Sequence, residues 1–392
     1  MSTVAMKNRM FHPRGEMAWA LTAGAFCLIG LLGVANYLLN GHDAYNIYRQ
    51  VPWGILISTY IFFVVSSTGL CLVSSLGHVF GIKQFEVIGK RAIVMAVITL
   101  VSGFAVIGLE IGYPFRMLIY NILTPNLSAA IWWMGTLYSL YLVFILFEFR
   151  FMLKVDHKWA GYAGLAGFIA GVAAHSNLGA IFGYLDARPW WQGPFLPIYF
   201  ILSAAATGCA IIILLFAFRY AREGMPERVR ETMTTITRLF AMLLGFLLFF
   251  ETWKVLTSIY GGAPGKFETM AALLQGSLSW SFWGFEIILA MVLPFALLLL
   301  SRGRSFKLAT VAAASSMVGI FFMRYNLVVA GQLAPLRKGV EGVGADGLLS
   351  YTPSLTEIAI VIGGFGLCLA LYFAANRVFN LDDDGDVVAR ER

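Results

Sequence analysis

The chain has 392 residues, of which 59% are hydrophobic and 12% charged, with a mean hydropathy of +0.78, whereas soluble domains carry about 25% charged residues. That composition excludes a soluble globular enzyme and calls for an integral membrane protein. The net charge of +7 is then to be judged by where Lys and Arg fall relative to the spans, not as a nucleic-acid patch.

A hydrocarbon core of about 30 Å needs roughly 20 apolar helical residues. The chain supplies ten such runs, near 17–39, 54–80, 91–113, 129–152, 158–185, 196–219, 236–260, 279–300, 307–332 and 355–376. The predicted fold is all-α and polytopic: one integral membrane domain over 1–392, with a short N-terminal segment 1–16, membrane helices across about 17–376 and a short charged tail over 377–392. The first run is too long for the h-region of a cleavable signal and has no small-x-small cleavage site, so it is expected to stay as a helix.

Ten spans put both termini on one side. Nineteen of the 28 Lys and Arg residues fall on that side, and six (Arg49, Arg116, Arg188, Lys266, Arg337 and Lys338) on the other. By the positive-inside rule both termini are expected to be cytoplasmic, in a bacterial or archaeal inner membrane. Arg238, Lys254 and Arg324 remain inside spans.

Along the chain, polar residues interrupt the apolar runs at particular depths. The second span opens on VPWG at 51–54 and carries His78 near its inner end; the third carries Glu110 near its outer end. Glu148 lies near the inner end of the fourth, closely followed by Arg150, so an interfacial position is its simplest reading. His175, Ser176 and Asn177 fall in the fifth span, Glu251 in the seventh, Glu286 in the eighth, Arg324, Tyr325 and Asn326 in the ninth, and Glu357 at the start of the tenth. Cys27, Cys71, Cys209 and Cys368 sit singly in four spans. They offer no clustered thiolates for an iron–sulfur centre and read as packing residues.

Glu110, His175, Glu251, Glu286, Arg324 and Glu357 all belong to the outer half at ~1.5 Å per residue. A charge at the centre of a span costs at least ~2.5–3.5 kcal/mol, and such charges pair or line wet cavities. Arg324 is therefore expected to pair with an acid from a neighbouring helix, Glu286 first and Glu251 second. Polar glue between helices is the competing account. Histidine can donate and titrate near neutral pH, and buried carboxylates can carry protons. A bis-histidine haem needs two facing axial ligands at one depth, and His175 finds no such partner, so the chain reads as haem-free. Proton movement across the membrane is left open, with Glu148, Arg238 and His78 as inner-half polar groups.

Six segments in order carry a resemblance: VPWG at 51–54, LEIGYPFR at 109–116, AHSNLG at 174–179, FWGFEIILAMVLP at 282–294, MRYNLVVAGQ at 323–332 and YTPSLTEIAIVIG at 351–363. They resemble the NrfD/PsrC (polysulfide reductase-like) family of respiratory membrane subunits, in particular its ten-helix branch, similar to the membrane subunit of a periplasmic nickel–iron hydrogenase. The resemblance implies two four-helix bundles plus extra helices, and a quinone-reactive subunit with no haem or iron–sulfur cluster of its own. It further implies a ferredoxin-like iron–sulfur partner on the periplasmic face, a further catalytic or cytochrome subunit, and menaquinone or ubiquinone as substrate. The quinone-binding residues expected on this reading are His175, Asn177, Glu110, Glu286, Arg324, Tyr325 and Asn326, with Glu251, Glu148 and Glu357 as proton-transfer candidates. The family's acidic-Gly-Arg-Pro element after the third span reads Glu110-Ile111-Gly112-Tyr113-Pro114 here, so its arginine is replaced by Arg116 or dispensed with. The alternative is a secondary transporter with Arg324 binding a small anion. Such sites come with broken helices and inverted repeats, neither of which the sequence displays.

Overall fold

The computed structural model describes residues 13–221, 224–337, 342–345 and 347–382. The basic residues of the N-terminal segment before Pro13, Lys338, and the acidic tail beyond Asp382 lie outside the described residues. Twelve helices are present among those described. They are α1 (Pro13–Asn40), α2 (Ile55–His78), α3 (Gly89–Glu110), α4 (Pro114–Leu123), α5 (Ala130–Leu153), α6 (His157–Gly183), α7 (Phe195–Arg219), α8 (Glu227–Tyr260), α9 (Lys266–Leu274), α10 (Ser281–Leu300), α11 (Phe306–Leu333) and α12 (Leu355–Val378). Ten are long and apolar enough to cross a membrane. The short α4 and α9 lie in the connections between α3 and α5 and between α8 and α10, outside the ten apolar runs.

Span ends match the sequence reading to within a few residues, with one exception. α8 begins at Glu227, nine residues before the apolar run at 236, because its first turns (ERVRETMTT) are helical but polar. Its 34 residues reach about 51 Å, well beyond a ~30 Å hydrocarbon core.

The helices form two four-helix bundles, α2/α3/α5/α6 and α7/α8/α10/α11, with α1 and α12 paired outside them against α3. α2 and α7 join the bundles. At their crossing a Cβ on Gly69 would strike the backbone at Ala204, and one on Gly208 would strike the backbone at Gly69, the close approach that small residues permit between membrane helices.

Local chemistry fixes where two elements turn. α12 starts on a capping box: Ser354 Oγ accepts from Glu357 N at 3.2 Å, and Glu357 Oε2 accepts from Ser354 N at 2.8 Å. Within α10, residues Ser281–Val292 run in the wide π register before Leu293–Leu300 resumes the α form. Pro294 has no N–H to return to the carbonyl of Ala290. The Ser316 hydroxyl of α11 donates to that oxygen instead, at 2.8 Å, and Ser315 donates to Leu289 O at 2.8 Å. The distorted segment is thereby pinned to α11, and it carries Glu286.

Candidate functional site

The site grows from one helical turn of α8. Glu251 and Lys254 stand at i, i+3 on the same face, and Lys254 Nζ lies 2.7 Å from Glu251 Oε1 and 3.7 Å from Glu286 Oε1 on α10. Asn326 of α11 completes the cluster: its Nδ2 donates to Glu286 Oε2 at 2.8 Å while its Oδ1 accepts from Ser281 Oγ at 2.6 Å. The Tyr199 hydroxyl of α7 donates to Glu251 Oε2 at 3.1 Å. Both carboxylates are buried; the lysine side chain keeps 12% of its exposure, enough to reach one cavity.

That cavity, about 440 Å³, is walled by Trp190, Trp191, Phe195, Phe249, Phe250, Trp253 and Leu327, with Lys254 and Thr257 among its few polar groups. Phe249 and Trp253 are more than half exposed, so the mouth opens on the apolar outer surface of α8. Lys254 Nζ stands 5.3 Å from the centre of the Trp190 ring. The Trp190 indole N–H is buried with no hydrogen-bond partner, an unpaired donor in the cavity wall. The volume and the ratio of aromatic walls to few polar groups suit a small, flat ligand.

Toward the loops, the cavity is closed by a clamp that includes the VPWG segment. Trp53 and Trp191 stack at 5.4 Å, and Gln332 accepts from Trp53 N at 3.0 Å and donates to Trp53 O at 2.8 Å. Arg188 donates to Gln332 O, Ala334 O and Gln50 O at 2.9–3.1 Å. Burial lowers the Arg188 pKa from its usual value.

The expected pairing of Arg324 is corrected. Among the described residues no carboxylate lies within 4.0 Å of its guanidinium. It is fully buried, donates through one Nη to Ser203 Oγ and lies over the Phe200 ring at 4.8 Å; its Nε and other Nη have no hydrogen-bond partner. Lys254 occupies the place between the two acids that Arg324 was expected to fill. Across the whole cluster two cations still match two carboxylates, with Arg324 acting from one layer behind.

His175 belongs to that deeper layer. Its Nε2 faces the Phe200 carbonyl at 3.1 Å, which can only accept, so Nε2 carries the proton and Nδ1 accepts from the Tyr138 hydroxyl at 3.2 Å. Both ring nitrogens are thus engaged within the protein. The other sequence candidates are not gathered here. Asn177 donates to Ala130 O at 2.9 Å in the first bundle. Tyr325 lies beside Tyr351, ring centres 6.4 Å apart. Glu110, at the end of α3, has one carboxylate oxygen buried without a partner and its main-chain carbonyl bonded to His42 Nε2 at 2.8 Å. Glu357 accepts from Tyr351 OH, from Asn46 N at 3.0 Å and from Ser354 N, and so ties the 41–54 and 350–354 segments together. Burial, followed by the bond to Glu357, raises the Tyr351 phenol. Arg116 is exposed over the Tyr113 ring.

Glu148 does not face outward as its neighbour Arg150 does. It is fully buried while Arg150 is exposed, and neither carboxylate oxygen has a hydrogen-bond partner. Above it runs a line of buried polar side chains. Cys71 Sγ lies 4.0 Å from Ser75 Oγ. Tyr141 OH and Ser67 Oγ are 3.1 Å apart, and Tyr138, one turn further along α5, reaches His175. Sequence reasoning missed Lys254, Trp190, Tyr199 and Ser203 as site residues. The Glu251/Lys254 spacing was the one local signal for any of them.

The family described as polysulphide reductase, NrfD, matches residues 43–335. The chain is 25% identical over 389 residues to a selenate reductase subunit of Mesobacillus selenatarsenatis, covering 88% of this chain and 89% of that one. It is 27% identical over 367 residues to the Hdr-like menaquinol oxidoreductase integral membrane subunit of Archaeoglobus fulgidus, covering 89% and 90%. With NrfD of Escherichia coli it shares 25% identity over 167 residues, 40% of this chain and 49% of that one.

Proposed function

We propose that this chain, which belongs to the polysulphide reductase NrfD family, is the quinone-reactive membrane subunit of a multi-subunit respiratory oxidoreductase. Relatives along most of its length are named as a selenate reductase subunit and a menaquinol oxidoreductase membrane subunit, which supports both the complex and menaquinone as the quinone. The observation that carries the reading is the lipid-open aromatic cavity with Lys254 and the unpaired Trp190 N–H in its wall.

A quinone head between these rings accepts hydrogen bonds from Lys254 Nζ and Trp190 Nε1, while its isoprenoid tail leaves past Phe249 and Trp253 into the bilayer. Two electrons enter from an iron–sulfur partner docked on the loop face beside the Trp53/Trp191 clamp, and two protons complete the quinol. Glu251 and Glu286 deliver protons through Lys254, with Asn326 holding Glu286 and Tyr199 holding Glu251. The partner's face is periplasmic on the positive-inside reading, and this chain carries no haem or cluster. Glu148 and the buried hydroxyls of Tyr141, Ser67 and Tyr138 support a proton route from the terminal face toward this site. The transporter alternative finds less support, because Arg324 is closed in by Ser203 and Phe200 and presents no route to an anion.

The test is binding of a menaquinone analogue or a hydroxyquinoline-N-oxide to the purified subunit, followed by quenching of tryptophan fluorescence, with an absorption spectrum free of a haem Soret band. Stoichiometric haem b, or no saturable quenching by either ligand, removes the reading.

A further inference from the structure

A second cavity lies at the other membrane face, and the quinone site makes no use of it. It is an open groove of about 570 Å³ between the 83–88 turn and the first turns of α8, and its lining includes three cations, Lys83, Arg228 and Arg238, against one acid, Glu231. Its walls are fixed: Gln84 Nε2 donates to Thr235 Oγ1 at 2.9 Å and Thr232 Oγ1 donates to Gln84 O at 2.9 Å. None of the three cations forms an ion pair with a described carboxylate; Arg228 has only a long contact, 3.4 Å, to Lys83 O.

Depth decides what such a pocket meets. α8 exceeds the hydrocarbon thickness by about 20 Å, and the excess is its polar start, Glu227 to Arg238. Arg238 is the last charge before an outward apolar stripe, Met242, Phe246 and Phe249, all exposed and spaced at helical repeat. On the pocket's other flank Phe80 and Ile82 are likewise exposed. The cavity thus sits at headgroup level with apolar surface running away from it in the direction of acyl chains.

We infer that this pocket binds the headgroup of an anionic glycerophospholipid. Its phosphate lies among Lys83, Arg228 and Arg238, and an acyl chain follows Met242 and Phe246. Basic pockets between membrane helices take such headgroups, at ~1 kcal/mol per Lys or Arg. With three cations against one acid in the lining, the groove favours a lipid of net negative charge over zwitterionic phosphatidylcholine, whose choline cation the basic side chains repel.

The test uses the delipidated full-length chain in detergent, titrated with phosphatidylglycerol, phosphatidylcholine or inorganic phosphate and read by native mass spectrometry. Phosphatidylglycerol is expected to bind tightest and to weaken as ionic strength rises, with phosphatidylcholine weaker and salt-insensitive. Arg238→Gln should weaken phosphatidylglycerol about fivefold and the Lys83→Gln/Arg238→Gln double roughly 30-fold, from ~1 kcal/mol per charge; Arg238→Lys should stay near wild type. Equal binding of the two lipids, or a double variant with the wild-type midpoint, overturns the proposal. Inorganic phosphate competing as well as the lipid makes this a free-anion site and overturns it equally. The salt dependence is read on wild-type protein, so the inference stays testable even where the double variant fails to fold.

Discussion

Lys254 bridges two acids from different helices, 2.7 Å from Glu251 on its own helix and 3.7 Å from Glu286 on α10. Removing one member of a buried pair leaves an uncompensated charge at a cost of ~3–5 kcal/mol. Lys254→Met is therefore expected to abolish quinone-dependent turnover and to lower the amount of assembled subunit, while the soluble partners keep their dye-linked activity. Adding Glu251→Gln should recover assembly but not turnover. Near-wild-type turnover per assembled Lys254→Met complex would place the quinone elsewhere.

Arg324 bonds to Ser203 and not to an acid. A double-mutant cycle between Arg324→Met and Glu286→Gln should show coupling below ~1 kcal/mol, since the two groups are neighbours without contact. Ser203→Ala should lower the unfolding free energy by the ~1–3 kcal/mol of a buried donor left unsatisfied. Coupling above ~3 kcal/mol would restore the direct ion pair.

Glu148 is buried with no partner for either oxygen. Glu148→Gln keeps the shape and removes the proton-carrying group. In proteoliposomes it should leave quinone reduction by the complex within about twofold in the presence of an uncoupler, while proton movement per quinone falls at least about tenfold, below the share general acid–base groups commonly supply. Unchanged proton stoichiometry in Glu148→Gln would exclude this residue from any route.

At the terminal face, Asp382 lies between Arg91 and Arg219, with Arg219 Nη2 at 2.9 Å. Burial alone would raise its pKa, but the two guanidiniums outweigh burial and hold it below the usual aspartate value. The folded-state pKa is depressed, so the stabilisation is complete above the unfolded value near about 3.9 and fades as pH falls through the lower folded one. Asp382→Asn should cost roughly 1–3 kcal/mol at about pH 7, less than a fully buried pair because the carboxylate is partly exposed. Thermal unfolding of wild type and variant should keep a constant gap down to about pH 3.9 and converge below it; a gap that persists undiminished at still lower pH would show that Asp382 acts by packing alone.

Ser316 substitutes for the hydrogen bond that Pro294 cannot make to Ala290 O. Ser316→Ala should destabilise by ~1–3 kcal/mol and loosen the segment holding Glu286, seen as faster amide exchange over 286–292. A Pro294→Ala background should abolish the penalty, because an alanine at that position restores the missing N–H. An undiminished penalty would mean that the Ser316 hydroxyl serves another purpose.

Membrane class and the ten spans were legible in the chain alone, because hydropathy and span length are local properties that the bilayer tests one helix at a time. The capping box at Ser354 and Glu357 was local too, three residues apart. Even the depth of Glu251, Glu286 and Arg324 was legible, since counting residues along a helix measures height. Rotation was not. Which acid faces which cation depends on how α7, α8, α10 and α11 turn about their axes when packed, and that is set by contacts such as Gly69 against Gly208 and Ser316 on the freed Ala290 carbonyl. Those contacts brought Lys254 between the two acids, turned Arg324 toward Ser203 and Phe200, and turned Glu148 into the core. Depth follows from the chain, but the choice of partner at a given depth belongs to the tertiary packing.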